Sequence, residues 1–94
     1  MTDADTDTTE SDEVAPTAVA VLEHLVKALV DAPDAVRVDV DDSHRHKVRL
    51  DVHVAEGDMG RVIGRRGRVA MSIRTVVRAA AVRDGVEVDV EFVD

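Results

Sequence analysis

Apolar residues in the first third of this chain recur at the spacing of a helix. Between Pro16 and Asp31 they return every three or four positions, which places them on one face of an α-helix. Pro16 suits a first helical turn, where its missing N–H does no harm, and Pro33 disfavours helical backbone at the residue before it. The pattern predicts an amphipathic helix over 16–31 whose buried face carries Ala18, Val21, Leu22, Leu25, Val26 and Leu29.

Two shorter segments follow in which apolar and polar residues alternate with a period of two. Valines alternate with charged residues over 35–41, and valine and leucine do the same over 47–54. Such alternation is typical of β-strands that bury one face. The residues between these segments, including 42–45, are polar and favour a turn, so we expect the two strands to form an antiparallel hairpin.

The second half of the chain returns to helical spacing on both sides of a glycine-containing loop. Asp58 suits the N-cap of a short helix that reaches Ile63, and a longer helix is predicted over 68–83. Gly85 ends that helix, as glycine often does just past a helix end, and alternation over 86–93 predicts a third strand. The long helix carries an apolar stripe of Val69, Ile73, Val76, Val77 and Ala80.

This order of elements predicts an α+β domain: helix, strand, strand, helix, helix, strand. A helical crossover joins the second and third strands, so we expect them to be parallel neighbours with a right-handed connection. The second strand is then central in a three-stranded mixed sheet. Because each strand alternates, we expect all three helices on one face of the sheet and solvent on the other. The chain has 94 residues, enough for one domain, which we place at 14–94.

Acidic residues dominate the segment that precedes this domain. Residues 1–13 contain six acidic side chains, no basic one and almost nothing apolar, so we expect a disordered tail. The whole chain has a net charge of −8 and no cysteine, which fits a reducing compartment. No apolar run approaches the roughly 20 residues of a membrane span, and the acidic start differs from that of a signal peptide. We therefore expect a cytoplasmic protein without a membrane span.

One stretch departs from this acidic average. Between residues 57 and 78 a single acid, Asp58, stands against six arginines. Gly64-Arg65-Arg66-Gly67 lies near its centre. Glycine permits positive φ and close approach of the backbone to another molecule, and arginine offers charge and paired N–H donors to phosphate. The stretch is therefore a candidate site for a polyanion, and its arginines are Arg61, Arg65, Arg66, Arg68, Arg74 and Arg78.

A G-x-x-G loop that leads into a helix is typical of KH domains, where it clamps a nucleic-acid backbone. Residues 58–70 and 73–81, with the order of elements, resemble the small stand-alone bacterial KH proteins of the KhpA family. The resemblance implies a type II KH fold that binds single-stranded RNA in a groove between the helix pair and the central strand. On this basis we expect RNA contacts from Gly64, Arg65, Arg66, Gly67, Arg61, Val62, Ile63, Arg68 and Arg74.

The same resemblance implies partners and a cellular role. The partner would be a second copy of this chain or a larger RNA-binding protein of the KhpB (Jag) type. The role would be that of an RNA chaperone or post-transcriptional regulator linked to cell-wall growth and cell shape. The chain has no Trp or Tyr and a single Phe, so we expect no aromatic platform for bases. Affinity should then be modest for one copy, and pairing would raise it through avidity.

Three other functions are weighed against RNA binding. An enzyme is disfavoured because the loop lacks the Lys-Ser/Thr of a P-loop, and the four histidines lack the spacing of a metal site. We expect no catalytic residue, no metal and no cofactor. A protein-interaction module with the KH fold would not need the two loop arginines. Single-stranded DNA fits the same kind of groove, because a preference for RNA depends on contacts to the 2′-OH.

Overall fold

The computed structural model describes residues 14–43 and 47–93 of the chain. The predicted disordered tail, 1–13, and residues 44–46 of the predicted turn region lie outside the described residues. The main elements are helix α1 (Pro16–Leu29), strands β1 (Arg37–Asp41) and β2 (Lys47–His53), helices α2 (Met59–Ile63) and α3 (Arg68–Asp84), and strand β3 (Glu87–Val93). The predicted order is confirmed, and the bounds differ from the predicted ones by one or two residues.

The three strands form one mixed sheet in the order β1-β2-β3. Strand β1 is antiparallel to β2, with Val40 opposite Leu50, and β3 is parallel to β2, with Val52 opposite Phe92. The predicted central position of the second strand is confirmed. Because β2 and β3 are parallel, their C-terminal ends lie at the same edge of the sheet, and the chain leaves β2 at that edge to enter α2.

The helices cover one face of this sheet. Core-facing residues of β2 alternate with more exposed ones, and β3 follows the same pattern over its first five residues. The α+β architecture, with helices on one side, is therefore as predicted. The largest fully buried side chains come from all three helices and two strands, and they are Leu22, Val26, Leu50, Val52, Val62, Val77 and Val90. No helix within residues 14–43 and 47–93 is long and apolar enough to cross a membrane.

The buried face of α3 differs from the predicted apolar stripe. Ala70, Ile73, Val77 and Ala81 are the buried residues of the helix, whereas Val76 is 46% exposed. The predicted stripe combined residues from two neighbouring rows along the helix surface, because both rows consist of apolar residues. Only one row faces the core, and the other stays partly at the surface.

Carboxylates from distant parts of the chain hold both ends of α1. Asp84, the last residue of α3, accepts hydrogen bonds from the backbone N–H groups of Thr17 at 3.0 Å and Ala18 at 2.9 Å. Asp58 accepts two more, from the N–H groups of Asp31 and Ala32, each at 3.1 Å. These bonds tie α1 to the start of α2 and to the end of α3. Helix α1 ends at Leu29, two residues before its predicted end at Asp31, and the N–H of Asp31 is bound by Asp58.

Asp58 occupies the N-cap position of α2, but its side chain does not cap that helix. The predicted capping role is therefore wrong. The side chain is turned toward the segment after α1, and the residue is only 3% exposed. Arg61 Nε lies 3.5 Å from its Oδ1, so the buried charge is paired as well as hydrogen-bonded. Pairing of this kind compensates the desolvation of a buried carboxylate.

Candidate nucleic-acid interface

The loop between α2 and α3 is built from backbone conformations that most residues avoid. Gly64 has φ 75° and ψ 176°, and Gly67 has φ 73° and ψ 15°. Arg66, between them, has φ 57° and ψ 26°, which makes it the one non-glycine residue with positive φ among residues 14–43 and 47–93. Arg65 and Arg66 are exposed, and the two glycines are partly exposed. The loop therefore lies at the surface, where a polyanion can reach it.

The two glycines serve the loop for different reasons. A Cβ built on Gly64 would clash with the Val69 side chain. It would lie 2.8 Å from Val69 Cβ and 3.0 Å from Val69 N. Gly64 is thus required by its φ and by the close approach of α3. A Cβ built on Gly67 would meet nothing within 4 Å. Gly67 is required only by its left-handed backbone, and its open side leaves room for a ligand.

Arg66 holds a left-handed conformation without being glycine. Such a conformation costs an L-residue about 1–2 kcal/mol, because Cβ crowds the following carbonyl. Residues held in sparsely populated conformations cluster at binding sites and switches. The side chain of Arg66 is exposed, so burial does not explain why arginine stands there. The arginine places a positive charge at the tip of the loop.

The six arginines of the basic stretch divide into two groups. Within residues 14–43 and 47–93, the side chains of Arg65, Arg66 and Arg68 form no ion pair, so their charge is available to a ligand. The other three are engaged. Arg61 lies 3.0 Å from Asp31 and 3.5 Å from Asp58, Arg78 lies 3.7 Å from Asp89, and Arg74 donates to the Val90 carbonyl.

The groove expected between the helix pair and the central strand stays a prediction, and β2 offers it little open surface. The core-facing residues Val48, Leu50 and Val52 of β2 are at most 6% exposed, and β2 has a neighbouring strand on each side. Arg74 instead spans from α3 to β3, an edge strand. Val62, a predicted RNA contact, is fully buried in the core, so its side chain is not open to a ligand in this structure. Ile63 is partly buried against that core.

The outer face of the sheet is acidic. Asp39, Asp51 and Glu91 lie side by side across the three strands, where like charges repel each other. Arg37 and Arg49 pair with Asp39 and Asp51, at 3.3 and 2.8 Å. The negative charge of this face and the positive charge of the loop therefore lie on different parts of the surface.

An apolar groove lies beside the loop, between α1 and α3. It has a volume of about 380 Å³. Two of its apolar residues, Leu29 and Val76, are 39% and 46% exposed. Val69 and Val76 belong to the predicted apolar stripe of α3 but not to its buried residues, and both line this groove. Its lining residues are Leu25, Ala28, Leu29, Arg68, Val69, Ser72, Ile73 and Val76.

Comparison with known families agrees with this geometry. The family model described as the KH domain of KhpA and KhpB matches residues 19–92, which is most of the chain. The chain belongs to the KhpA/KhpB family of KH domains. The matched range contains the whole glycine loop, both flanking helices and all of the sheet except Val93.

Relatives within this family are similar over nearly their full length. RNA-binding protein KhpA of Leifsonia xyli is 52% identical over 73 residues, covering 78% of this chain and 92% of the relative. KhpA of Clostridium acetobutylicum is 45% identical over 73 residues, covering 78% and 96%. KhpA of Mycobacterium tuberculosis is 47% identical over 76 residues, covering 81% and 92%.

A solved structure shows the same fold at low sequence identity. The GTP-analogue complex of Era with nucleotides 1506–1542 of 16S ribosomal RNA superposes with a TM-score of 0.58 and 17% identity. The match covers 80% of this chain and 28% of Era. This likeness confirms the type II KH fold that the element order and the loop predict.

The sequence could not show several residues that shape this site. Asp58 and Asp84 each hold backbone N–H groups at least 26 positions away. No local pattern marks such a contact. The contact of Arg74 with Val90 on β3 spans 16 positions and is likewise marked by no local pattern. In the sequence, the concentration of arginines identified this stretch, but it did not show which of these arginines form ion pairs.

Proposed function

We propose that this protein binds single-stranded RNA by clamping its sugar–phosphate backbone against the loop 64–67. The observation that carries this is the exposed loop with positive φ at three of its four residues; two arginines within it and one directly after it form no ion pair with any residue of 14–43 and 47–93. Relatives at 45–52% identity are named as RNA-binding proteins, which supports the same function here.

The chemistry of the loop suits phosphate. Gly67 leaves open space in front of the backbone, so a phosphate can come close. Among the residues that the structure describes, no side chain caps the N-terminus of α3, and the N–H groups there favour an anion. Arg65, Arg66 and Arg68 add charge and paired donors for phosphate oxygens. Because these contacts are to the backbone, the loop positions the strand without reading its sequence.

Charge reversal at the loop tests this proposal. The variant Arg65→Asp/Arg66→Asp keeps the backbone acceptable, because aspartate tolerates the left-handed conformation of position 66. We expect a large loss of affinity for a single-stranded RNA oligonucleotide in fluorescence anisotropy. Lys27→Glu/Arg83→Glu is the matched control: both residues are exposed on helices, and the change in net charge is the same. We expect the control to change affinity much less.

Salt dependence separates phosphate contacts from a general effect of charge. Affinity falls as salt rises. If Arg65 and Arg66 each neutralise one phosphate, the slope of log K against log salt should be steeper for the wild type than for the loop variant, by about 1.4. Equal affinity in the two double variants would refute the loop as the binding site. A single-stranded DNA of the same sequence decides whether 2′-OH contacts contribute, because it lacks that group.

The apolar groove between α1 and α3 supports self-association. Leu29 and Val76 leave apolar surface open beside the loop, and Arg68 lies at the same groove. A second copy that covers this surface would bring two loops into one particle, which raises avidity for RNA. A protein of the KhpB (Jag) type, expected from the family resemblance, is the other partner for this surface.

Charge placed in the groove tests self-association. We expect Val76→Glu to convert a dimer to a monomer in sedimentation velocity, because it puts a carboxylate on an apolar contact. Val82→Glu is the matched control, since Val82 lies on the same helix, outside the groove, and is 75% exposed. A monomeric wild-type protein at high concentration would leave the KhpB-type partner as the expected occupant, and binding to it would be the next measurement.

The family resemblance supports a role as an RNA chaperone or post-transcriptional regulator linked to cell-wall growth and cell shape. A dimer with two loops can hold two RNA segments near each other, which favours annealing. Annealing of two complementary RNAs should therefore be faster with the wild-type protein than with Val76→Glu. Equal annealing rates would contradict the chaperone role of the dimer.

A further inference from the structure

Arg74 is held in place by two contacts with strand β3. Its Nε donates a hydrogen bond of 3.1 Å to the Val90 carbonyl, and its guanidinium carbon lies 5.4 Å from the centroid of the Phe92 ring. Phe92 is the only aromatic residue of the chain. These contacts fix both the position and the plane of the guanidinium. Within the described part of the chain, Arg65, Arg66 and Arg68 have no comparable restraint.

The fixed guanidinium still has donors to offer. Its Nε is used, but within the part of the chain that the structure describes no acceptor contacts its terminal nitrogens. Arginine presents these N–H groups in a rigid fork, so it recognises two neighbouring acceptors. The fork is already oriented here, so little side-chain freedom remains to be lost on binding.

Arg74 lies within reach of a strand held at the loop. It is seven residues after Gly67 on α3, which corresponds to about 10 Å along the helix. Phe92 lies near the C-terminal end of β3, at the edge of the sheet from which the chain leads to the loop. A KH loop engages about four nucleotides. A base of the strand clamped at the loop can therefore reach the guanidinium.

We propose that Arg74, oriented by Val90 and Phe92, selects a base with two neighbouring acceptors, guanine or cytosine, in the bound strand. Guanine offers O6 and N7 to arginine, and cytosine offers O2 and N3. Adenine and uracil place a donor beside each acceptor on those edges. The planar guanidinium can also stack on the base, with Phe92 on its other side. This inference rests on the proposed RNA binding and adds base selection to it.

The test compares base preference with overall affinity. The probes are labelled eight-nucleotide RNAs: all adenine, all uracil, all cytosine, and adenine with two central guanines. We expect the wild-type protein to bind the cytosine and guanine probes about tenfold more tightly than the adenine probe. Arg74→Lys keeps the charge but loses the fork, so it should bind all four within about threefold of each other. Phe92→Leu should weaken the preference by releasing the guanidinium.

Two controls separate base selection from a structural role. Arg78→Lys changes an arginine one turn later on α3, which pairs with Asp89 and not with β3's backbone carbonyl. It should keep the wild-type preference. If Arg74 served only to cover the edge of β3, Arg74→Lys would lower the melting temperature and weaken all four probes equally. That result, or a wild-type protein that binds all four probes alike, would overturn the inference. A wild-type protein that binds none of the probes would instead refute RNA binding itself.

Discussion

Replacing Gly64 with alanine tests whether the loop depends on the close contact between Gly64 and α3. The new Cβ would clash with the Val69 side chain and lie 3.0 Å from Val69 N. The backbone at φ 75° and ψ 176° is in a region that is essentially restricted to glycine, with a cost of about 1–3 kcal/mol. Overpacking adds about 1–3 kcal/mol. We expect a loss of about 4 kcal/mol in the free energy of unfolding.

Two other glycines provide matched controls. Gly67→Ala meets no atoms within 4 Å, so only its left-handed φ matters, and we expect a loss of about 1 kcal/mol. Gly60 lies inside α2, where a Cβ also meets nothing within 4 Å. Gly60→Ala should therefore stabilise the protein by about 0.5–1 kcal/mol, because alanine is the better helix former.

Urea unfolding followed by far-UV circular dichroism measures these differences, since the chain contains no tryptophan. A domain of this size has about 4–12 kcal/mol of stability, so Gly64→Ala should unfold at a much lower urea concentration or fail to fold. Val69→Ala removes the Cγ2 contact but keeps Cβ at 2.8 Å and the backbone N at 3.0 Å, so it relieves only part of the clash, and the double variant should be somewhat more stable than the sum of the single effects predicts. A Gly64→Ala protein as stable as Gly67→Ala would refute the close-contact argument.

The remaining predictions concern the carboxylates and the tail. Asp58→Ala leaves two partly buried backbone N–H groups without their acceptor and removes one of the two carboxylates that pair with Arg61, and we expect thermal melting to show a loss of about 3 kcal/mol. The hydrogen bonds from Ala18 and Thr17 outweigh burial, which acts to raise the pKa of Asp84, and they lower that pKa below 3.8. The stability from Asp84 is therefore fully present above pH 3.8 and is lost as the pH falls through the lowered folded-state pKa. Acid titration of Asp84→Asn should show a smaller loss of stability below pH 4 than the wild type, and an identical loss would contradict this. Deleting residues 1–13 removes six acidic side chains, so anisotropy should show tighter RNA binding at low salt, and the difference should vanish at high salt.

Local pattern was enough to predict the elements and their order. Apolar residues at helical and strand spacing produced the correct succession of helices and strands, because the two periods depend only on which side of an element is buried. The crossover between β2 and β3 then required parallel strands. The loop was also visible in the sequence, because two glycines around two arginines have few other uses at the start of a helix.

The tertiary structure alone decided which of these side chains are buried or form ion pairs. Val62 carries the same apolar signal as Ile63, but it is fully buried while Ile63 is partly exposed. Arg61 and Arg65 carry the same charge, but acids brought close by folding engage only the first. Asp58 and Asp84 hold segments at least 26 residues away. Sequence spacing specifies the face on which a residue lies, whereas its partner depends on which distant segments pack against that face.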